Sequence, residues 1–370
     1  MSDKKTSIGG QALIEGIMMR GPEKTAMAVR NAAGEIVVDE WATKTDVPKI
    51  WRLPILRGMY AMVTSYAIGY KCLMRSADIS ISDIEKAEDE PKDKAEEAEA
   101  VREAESDETV RKSESVETAE TADDNAEETV APTASDTDKP NEKSEPKVVE
   151  GGSKSENKAL LTVITIIGVV LGVALAVFLF AYIPALAAKA IFRSDAETLS
   201  TGAALLRSAL EGVIKIALLI LYMWAVSQMK DIKRTFMYHG AEHKTIFCYE
   251  QGLPLTVENI RKQRRFHPRC GTSFIILMLL VGILIGFFIR IDNVALRALV
   301  RIALLPLTVG IGYELIKFAG RHDNVLTKII SAPGMWLQHI TTKEPDDSMI
   351  ECAIEAMNRV IPEDKSKDNW

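Results

Sequence analysis

The chain is short of the residues that usually staple or arm a protein: its 370 residues include four cysteines and five histidines. Cys72, Cys248, Cys270 and Cys352 form no Cys-x-x-Cys pair and show no even spacing. That argues against a disulfide framework and fits thiols facing a reducing compartment. Met1 to Ile8 is short and polar, so no cleavable leader is expected and the membrane spans themselves are expected to direct insertion. Residues 83–158 contain no Phe, Trp, Tyr or Leu. A stretch built from Glu, Ala, Asp, Ser, Thr and Lys cannot bury enough apolar surface to offset chain entropy. Residues 79–158 are therefore expected to be a disordered acidic linker, helical at most transiently, with Gly151-Gly152 as a closing hinge. Such a segment serves as a solvated tether, or as an acidic arm that binds a protein partner or the basic face of its own chain.

Charge is divided unevenly. The whole chain carries −7, but residues 83–158 hold 26 acidic against 11 basic residues, and the remainder is +8. That remainder contains long apolar runs. Ala159 to Ala188 is 30 residues without a charge, and Gly271 to Ile289 adds 19 more. Both are long enough to cross a bilayer. Ala203–Met229 carries Glu211 and Lys215, which are i,i+4 neighbours able to neutralise each other. Leu296–Ile316 has Arg297 and Arg301 at its start, Pro306 inside and Glu314 near its end. The expected fold is mainly α, a polytopic helical membrane protein with four transmembrane helices at 159–188, 203–229, 271–290 and 296–317. A small cytosolic α+β portion accompanies them.

Orientation follows from the cations in the short connections. Residues 230–270 hold nine Lys and Arg, whereas 189–202 and 290–295 hold few, so the larger loop and both termini are placed in the cytosol. Ile55–Tyr70 is apolar apart from Arg57 and is flanked by Arg52, Lys71 and Arg75. Cations at both ends of so short a stretch predict an interfacial or re-entrant helix over 51–78.

The cytosolic segments carry the chemistry. Residues 1–50 contain Gly9–Pro22, whose four glycines predict tight turns or close backbone approach, with Glu15 inside it as an acidic candidate. A β-hairpin follows over 25–41, turning at Asn31-Ala-Ala-Gly34. Tyr238-His-Gly-Ala-Glu-His-Lys244 places His239, Glu242 and His243 on one helical face. This is the H-x-x-E-H arrangement, in which two imidazoles hold a metal and the carboxylate acts as general base on a bound water. The plain alternative is an interfacial helix whose histidines bond headgroups or neighbouring helices. His267-Pro-Arg-Cys-Gly271 supplies two more candidate ligands, His267 and Cys270, on a rigid turn, and Arg269 suits an anionic substrate. The alternative there is a Pro/Gly turn entering a membrane helix. Glu314 lies at comparable depth, with pairing to Lys317 or Arg321 as its ordinary role. His322 reads as a surface or capping group. In the tail, 318–370, Asp346 and Asp347 suit the N-terminal turn of an amphipathic helix from Met349 to Val360, and Glu344 or Asp347 could contact substrate or metal.

Together Gly9–Pro22, His239–Lys244, His267–Phe274 and Pro333–Asp347 resemble the YqhQ-like family of bacterial membrane proteins, over residues 7–78 and about 159–361. That family is a domain of unknown function labelled a predicted metal-dependent enzyme. The resemblance implies a divalent metal, zinc foremost, and a bacterial inner-membrane location, with the acidic insert peculiar to this chain. The leading expectation is a hydrolase-like enzyme at the cytosolic membrane surface: His239 and His243 as ligands, completed by His267 or Cys270, with Glu242 as base and Arg269 orienting an anion. The alternatives are a membrane scaffold docking partners through its cytosolic face, and a small transporter using Glu211, Lys215 and Glu314. No nucleic-acid partner is expected, and the sequence fixes no oligomeric state.

Overall fold

The computed structural model describes residues 5–43, 47–89, 155–192, 200–291, 293–322 and 324–368. The chain divides into two units, Met1–Ala87 with Gly172–Trp370, and Glu88–Leu171. The described residues of the second unit are helical and include exposed apolar side chains such as Val163, Ile167 and Val170.

The first unit begins with a sheet. Strands β1 (Gly9–Leu13), β2 (Gly16–Arg20), β3 (Lys24–Arg30) and β4 (Ile36–Ala42) form an antiparallel meander in chain order. The expected hairpin is its second half, turning on Gly34 at φ +87°. The glycine-rich segment supplies the other half as β1 and β2, which its Gly, Ala and Met content did not announce. Successive side chains alternate between faces. Ile17, Met19, Ala26 and Ala28 face a core shared with helices α5 (Lys230–Glu250) and α11 (Asp347–Val360), while Leu13, Met18, Met27 and Val29 pack with Cys72 and Ile79 of α1 (Leu56–Asp89). Both faces are thus covered, each fully buried Met, Ile or Leu contributing roughly 1.5–3 kcal/mol. Asp346 caps α11 by accepting the Met349 N–H at 3.0 Å, as expected, and Met349, Ile350, Ala353 and Met357 fill its apolar side.

Helix α1 is 34 residues long, about twice the apolar stretch read from sequence. Its Glu-, Asp- and Lys-bearing end includes good helix formers, and a nucleated helix propagates through them at little cost. Helix therefore runs to Asp89 and resumes at Ser155, so both ends of the expected disordered linker are helical; residues 90–154 lie outside the described residues. At its start, α1 is fastened to α9 (Leu305–Arg321). Arg57 Nε donates to Glu314 Oε1 at 2.6 Å and its Nη2 pairs with Oε2, while Ile55, at φ +70°, gives its N–H to the same carboxylate at 3.4 Å. Glu314 thus pairs with Arg57, and not with the Lys317 or Arg321 of its own helix, because α1 brings a guanidinium to both oxygens.

The first apolar run forms α2 (Ser155–Val177), a π-helical turn at Phe178–Tyr182 and α3 (Ile183–Phe192); the second forms α4 (Thr201–Val226). Ile167–Phe192 and Thr201–Val226, each 26 residues, are long and apolar enough to cross a membrane. Helix α8 (Val294–Ala303) and α9 bend by 48° at Leu304 and make a third such element if taken as one span. After the short α6 (Val257–Arg261), helix α7 (Gly271–Gly286) has 16 residues, about 24 Å at 1.5 Å per residue, so it is shorter than the 19-residue run read from sequence. The expected i,i+4 neutralisation of Glu211 by Lys215 gives way to a contact between helices. Arg297 Nη1 and Arg301 Nη2 reach the two Glu211 oxygens at 2.9 and 3.0 Å. Two guanidiniums satisfy a buried carboxylate better than one same-helix ammonium. Arg207, uncounted in the sequence reading of this span, is buried too.

The tail returns to the N-terminal segment at Asp368. Its Oδ1 accepts the Thr6 hydroxyl at 2.6 Å and the Ser7 N–H at 2.7 Å, and its Oδ2 accepts the Tyr249 hydroxyl at 2.9 Å. Burial works to raise this carboxyl, but the hydrogen bonds outweigh it and hold it below its ordinary 3.8. A carboxyl depressed in the fold contributes stability that is complete above its unfolded value and is lost as pH falls through its folded value. Asp368→Asn should therefore cost roughly 1–3 kcal/mol at pH 7, read as a lower unfolding midpoint in detergent, and the gap to the native chain should close as pH drops below 3.8. A gap constant from neutral to strongly acid pH would contradict this role.

Candidate metal centre

Helix α5 divides its work by face. His239, His243, Ile246 and Glu250 recur at i, i+4, i+7 and i+11, which is one stripe at 3.6 residues per turn. Tyr238, Ala241 and Cys248, on the other side, belong to the core against the sheet. Between them sits Gly240. The segment after α10 (Val325–Thr341) crosses the helix there, with Lys343 N–H donating to Phe236 O at 2.8 Å. A Cβ on Gly240 would stand 2.0 Å from the Lys343 carbonyl oxygen, so this position requires glycine.

That crossing orients the first histidine. His239 Nδ1 lies 2.9 Å from the Thr341 carbonyl, which can only accept, so Nδ1 carries a proton and Nε2 is the atom turned toward the cluster. Nε2 is 3.1 Å from Cys270 Sγ. His243 repeats the device: its Nδ1 donates to the Arg265 carbonyl at 2.5 Å. Its Nε2 is buried and has no hydrogen-bond partner. Donor atoms of His239, His243 and Cys270 all lie within 4.8 Å of one another. Cys270 is the N-cap of α7, where helix polarity favours a thiolate. Burial alone would raise its thiol, but the charges of His239 and His243 draw it well below its ordinary value. The same contact acts on His239: burial works to lower the imidazole and Cys270 more than reverses that. These three groups could hold a metal ion.

His267 stands beside the cluster, its ring centroid 5.6 Å from that of His243. Its Nδ1 accepts the Arg269 N–H at 3.3 Å, and its Nε2 lies 3.7 Å from Glu250 Oε2. Burial, with the cations of His243 and Arg269, lowers this imidazole to about 4, against the pull of Glu250, so it is neutral at pH 7. Of the two expected completions of the ligand set, His267 and Cys270, the structure brings Cys270 into the triad. Arg269, expected to orient an anion, is instead engaged within the protein. Its Nη2 pairs with Glu250 and its Nη1 donates to Thr6 O at 3.0 Å. Burial works to raise Glu250, yet His267 and Arg269 hold it below the usual carboxylate range. The backbone of His267 is gripped by fully buried Gln338, which accepts its N–H and donates to its carbonyl, both at 2.8 Å.

Glu242 comes from the core side of the stripe. Its Oε1 accepts the Gly10 N–H at 3.1 Å, while Oε2 is buried without a partner. A Cβ on Gly10 would lie 3.0 Å from Glu242 Cδ and 2.7 Å from Met18 O, which is the close backbone approach expected of the glycine-rich segment. Burial pushes the Glu242 carboxyl up, against the pull of His239 and His243. A cavity of about 950 Å³ adjoins the centre, lined there by Gly10, Glu242, His243, His267 and Cys270.

Three further acidic candidates lie in pairings of their own. Glu15 holds Arg234 through both oxygens and accepts the Tyr238 hydroxyl at 3.3 Å. Glu314 holds Arg57. Asp347 pairs with Arg261 on the surface, and its neighbour Glu344 with Lys244 and Arg265. His322 caps α9 through the Phe318 carbonyl at 3.1 Å, as expected. The residues that sequence reasoning missed are Glu250, Arg265, Gln338 and Thr341. Glu250 had a signal, the i+11 spacing from His239. The others act through backbone atoms or across long separations and left none.

The His239–Lys244 and His267–Phe274 motifs fall within one family's span. A model described as "Protein of unknown function (DUF1385)" matches residues 53–363. The chain belongs to this family. It is similar to "Uncharacterized protein YqhQ" of Bacillus subtilis (strain 168), with 31% identity over 357 residues, 95% of this chain and 92% of that protein. No solved structure matches the chain.

The Gly240 crossing yields a test. Gly240→Ala must displace the Lys343 backbone, and with it the Thr341 carbonyl that orients His239. Overpacking of this kind costs roughly 1–3 kcal/mol, so the expected outcome is a clearly lowered unfolding midpoint in detergent-solubilised protein. An unchanged midpoint would show that the strap does not bear on the helix as described.

Proposed function

We propose that this protein is a membrane-anchored, metal-dependent enzyme of hydrolytic type, with His239, His243 and Cys270 as metal ligands and Glu242 as general base. One observation carries the reading: a converging set of donors coincides with buried polar atoms that have no partner, His243 Nε2 and Glu242 Oε2. Orphaned buried groups of this kind are uncommon and mark an absent ion or water. Two imidazoles and one thiolate suit zinc, whereas magnesium and calcium prefer oxygen. In both histidines Nδ1 donates to a backbone carbonyl, which leaves Nε2 as the atom for a metal.

Three protein ligands leave a coordination position open, as catalytic zinc sites do, and a bound zinc ion would supply Lewis-acid polarisation and acidify water. Glu242 does the proton chemistry. Its free Oε2 takes one proton from the attacking water and returns it to the leaving group, so one bond is cleaved and one water consumed. Gly10 holds the other oxygen, keeping the carboxylate aimed. His267, Glu250 and Arg269 brace the turn that presents Cys270; in this reading Arg269 is a positioning residue.

The reading keeps four crossings: α2 with α3, α4, α7 with the turn after it, and α8 with α9. The nine cations of segment 230–270 support a cytosolic side for the centre and both termini at a bacterial inner membrane. Helix α1 lies in the interface, supported by its outward Val63, Tyr66 and Tyr70, which are exposed.

Purified protein should retain about one divalent metal per chain, measured by elemental analysis after desalting. His239→Ala with His243→Ala should lose it, while Glu242→Gln should keep the metal. Wild-type metal content in the double histidine variant would end the proposal.

A further inference from the structure

The cavity beside the centre extends well beyond it, and its lining is uneven in charge. Six cations contribute to it, Arg20, Arg52, Arg57, Arg269, Lys317 and Lys367, against one carboxylate, Glu242. Three of the six are matched elsewhere: Arg57 by Glu314, Arg269 by Glu250 and Lys367 by Glu23. Arg52 donates its Nε–H to the Val47 carbonyl at 3.0 Å. Arg20 and Lys317 meet no carboxylate within ion-pair distance among the described residues. They come from different elements, β2 and α9, and both lie by Tyr313: Lys317 Nζ is 5.9 Å from its ring centroid, and Arg20 acts on its phenol by charge.

Lys317 feels the charge of Glu314, one turn back on α9, but closes no ion pair with it. Two cations outside any ion pair in a half-enclosed recess attract an anion more strongly than the same pair on open surface. Guanidinium and ammonium beside a phenol ring offer directed donors to tetrahedral oxyanions, phosphate above all. We propose that Arg20 and Lys317, with Tyr313, form a substrate subsite that binds the phosphate of a phosphate-bearing ligand and holds its scissile bond toward the His239–His243–Cys270 end of the same cavity. The assignment rests on the enzymatic reading for its second half; the binding half stands on the cation arrangement alone. Two features favour an amphiphilic ligand. Helix α1 turns Tyr60, Ala61, Thr64 and Ser65 into the cavity while its outer residues Val63, Tyr66 and Tyr70 stand exposed. Lys317 lies in the last part of α9, which together with α8 is apolar enough for a span. The volume, about 950 Å³, holds a headgroup and the first part of its tails.

The test uses full-length protein in uncharged detergent and three probes followed by calorimetry: dioctanoyl phosphatidic acid, inorganic phosphate and dioctanoyl phosphatidylcholine. Phosphatidic acid should bind, and Arg20→Gln and Lys317→Gln should each weaken it roughly tenfold, the worth of one charge-assisted hydrogen bond. Arg20→Lys should retain most of the affinity, which separates loss of charge from loss of fold. Competition by inorganic phosphate at comparable concentration would assign the site to soluble phosphates, and its failure to compete would assign it to lipid; either outcome supports the subsite. Equal binding by native and Gln variants, or no binding of phosphatidic acid or inorganic phosphate by native protein, overturns it. Metal content is measured in the same samples. Unchanged metal with unchanged binding in the Gln variants sinks the subsite and spares the metal centre. Absence of metal from native protein, with binding still lost in the variants, does the reverse.

Discussion

The pitch of one helix governs the arrangement. Because α5 turns once every 3.6 residues, His239, His243 and Glu250 share a stripe while Tyr238, Ala241 and Cys248 share the opposite side. The core stripe fixes the helix against the sheet, so the polar stripe has no freedom of rotation left. Everything else at the centre reaches this stripe from elsewhere: a backbone N–H from β1, a thiol from the cap of α7, carbonyls from Arg265 and Thr341.

Burial then sets the chemistry. Removing Glu242, His267 and Cys270 from water would by itself neutralise all three. Cys270 and His239 escape that outcome by facing each other, and Glu250 escapes it through Arg269 and His267. Glu242 gains one N–H from Gly10 and nothing for its second oxygen. The centre therefore contains an ion-paired half, around Glu250 and Arg269, and a half without ion pairs, around Glu242 and His243.

Long, strongly patterned elements were legible from residue order: the apolar runs, the hairpin at 25–41, the amphipathic α11 with its Asp346 cap, and the H-x-x-E-H face. These depend on periodicity and local hydrogen bonding, which sequence records directly. What escaped depends on partners far along the chain. Strands β1 and β2 are weak strand formers held by burial on both faces. Glu211 and Glu314 pair across helices with Arg297, Arg301 and Arg57, whereas local spacing pointed to Lys215, Lys317 and Arg321. Arg269 was read by its chemistry and is used by its neighbourhood. Four crossings were counted from composition; length and apolarity support two, or three with the bent α8–α9 pair.

The carbonyl of Thr341 has a consequence for how the chain is made. It lies 102 residues beyond His239, the imidazole it orients. Between them the ribosome must deliver the cap of α7, the apolar helix that follows, and the whole of α8, α9 and α10. Until that carbonyl emerges, His239 is an ordinary histidine on a nascent helix and Cys270 an ordinary thiol. The centre is therefore assembled late in synthesis, after the apolar segments between its parts have left the ribosome.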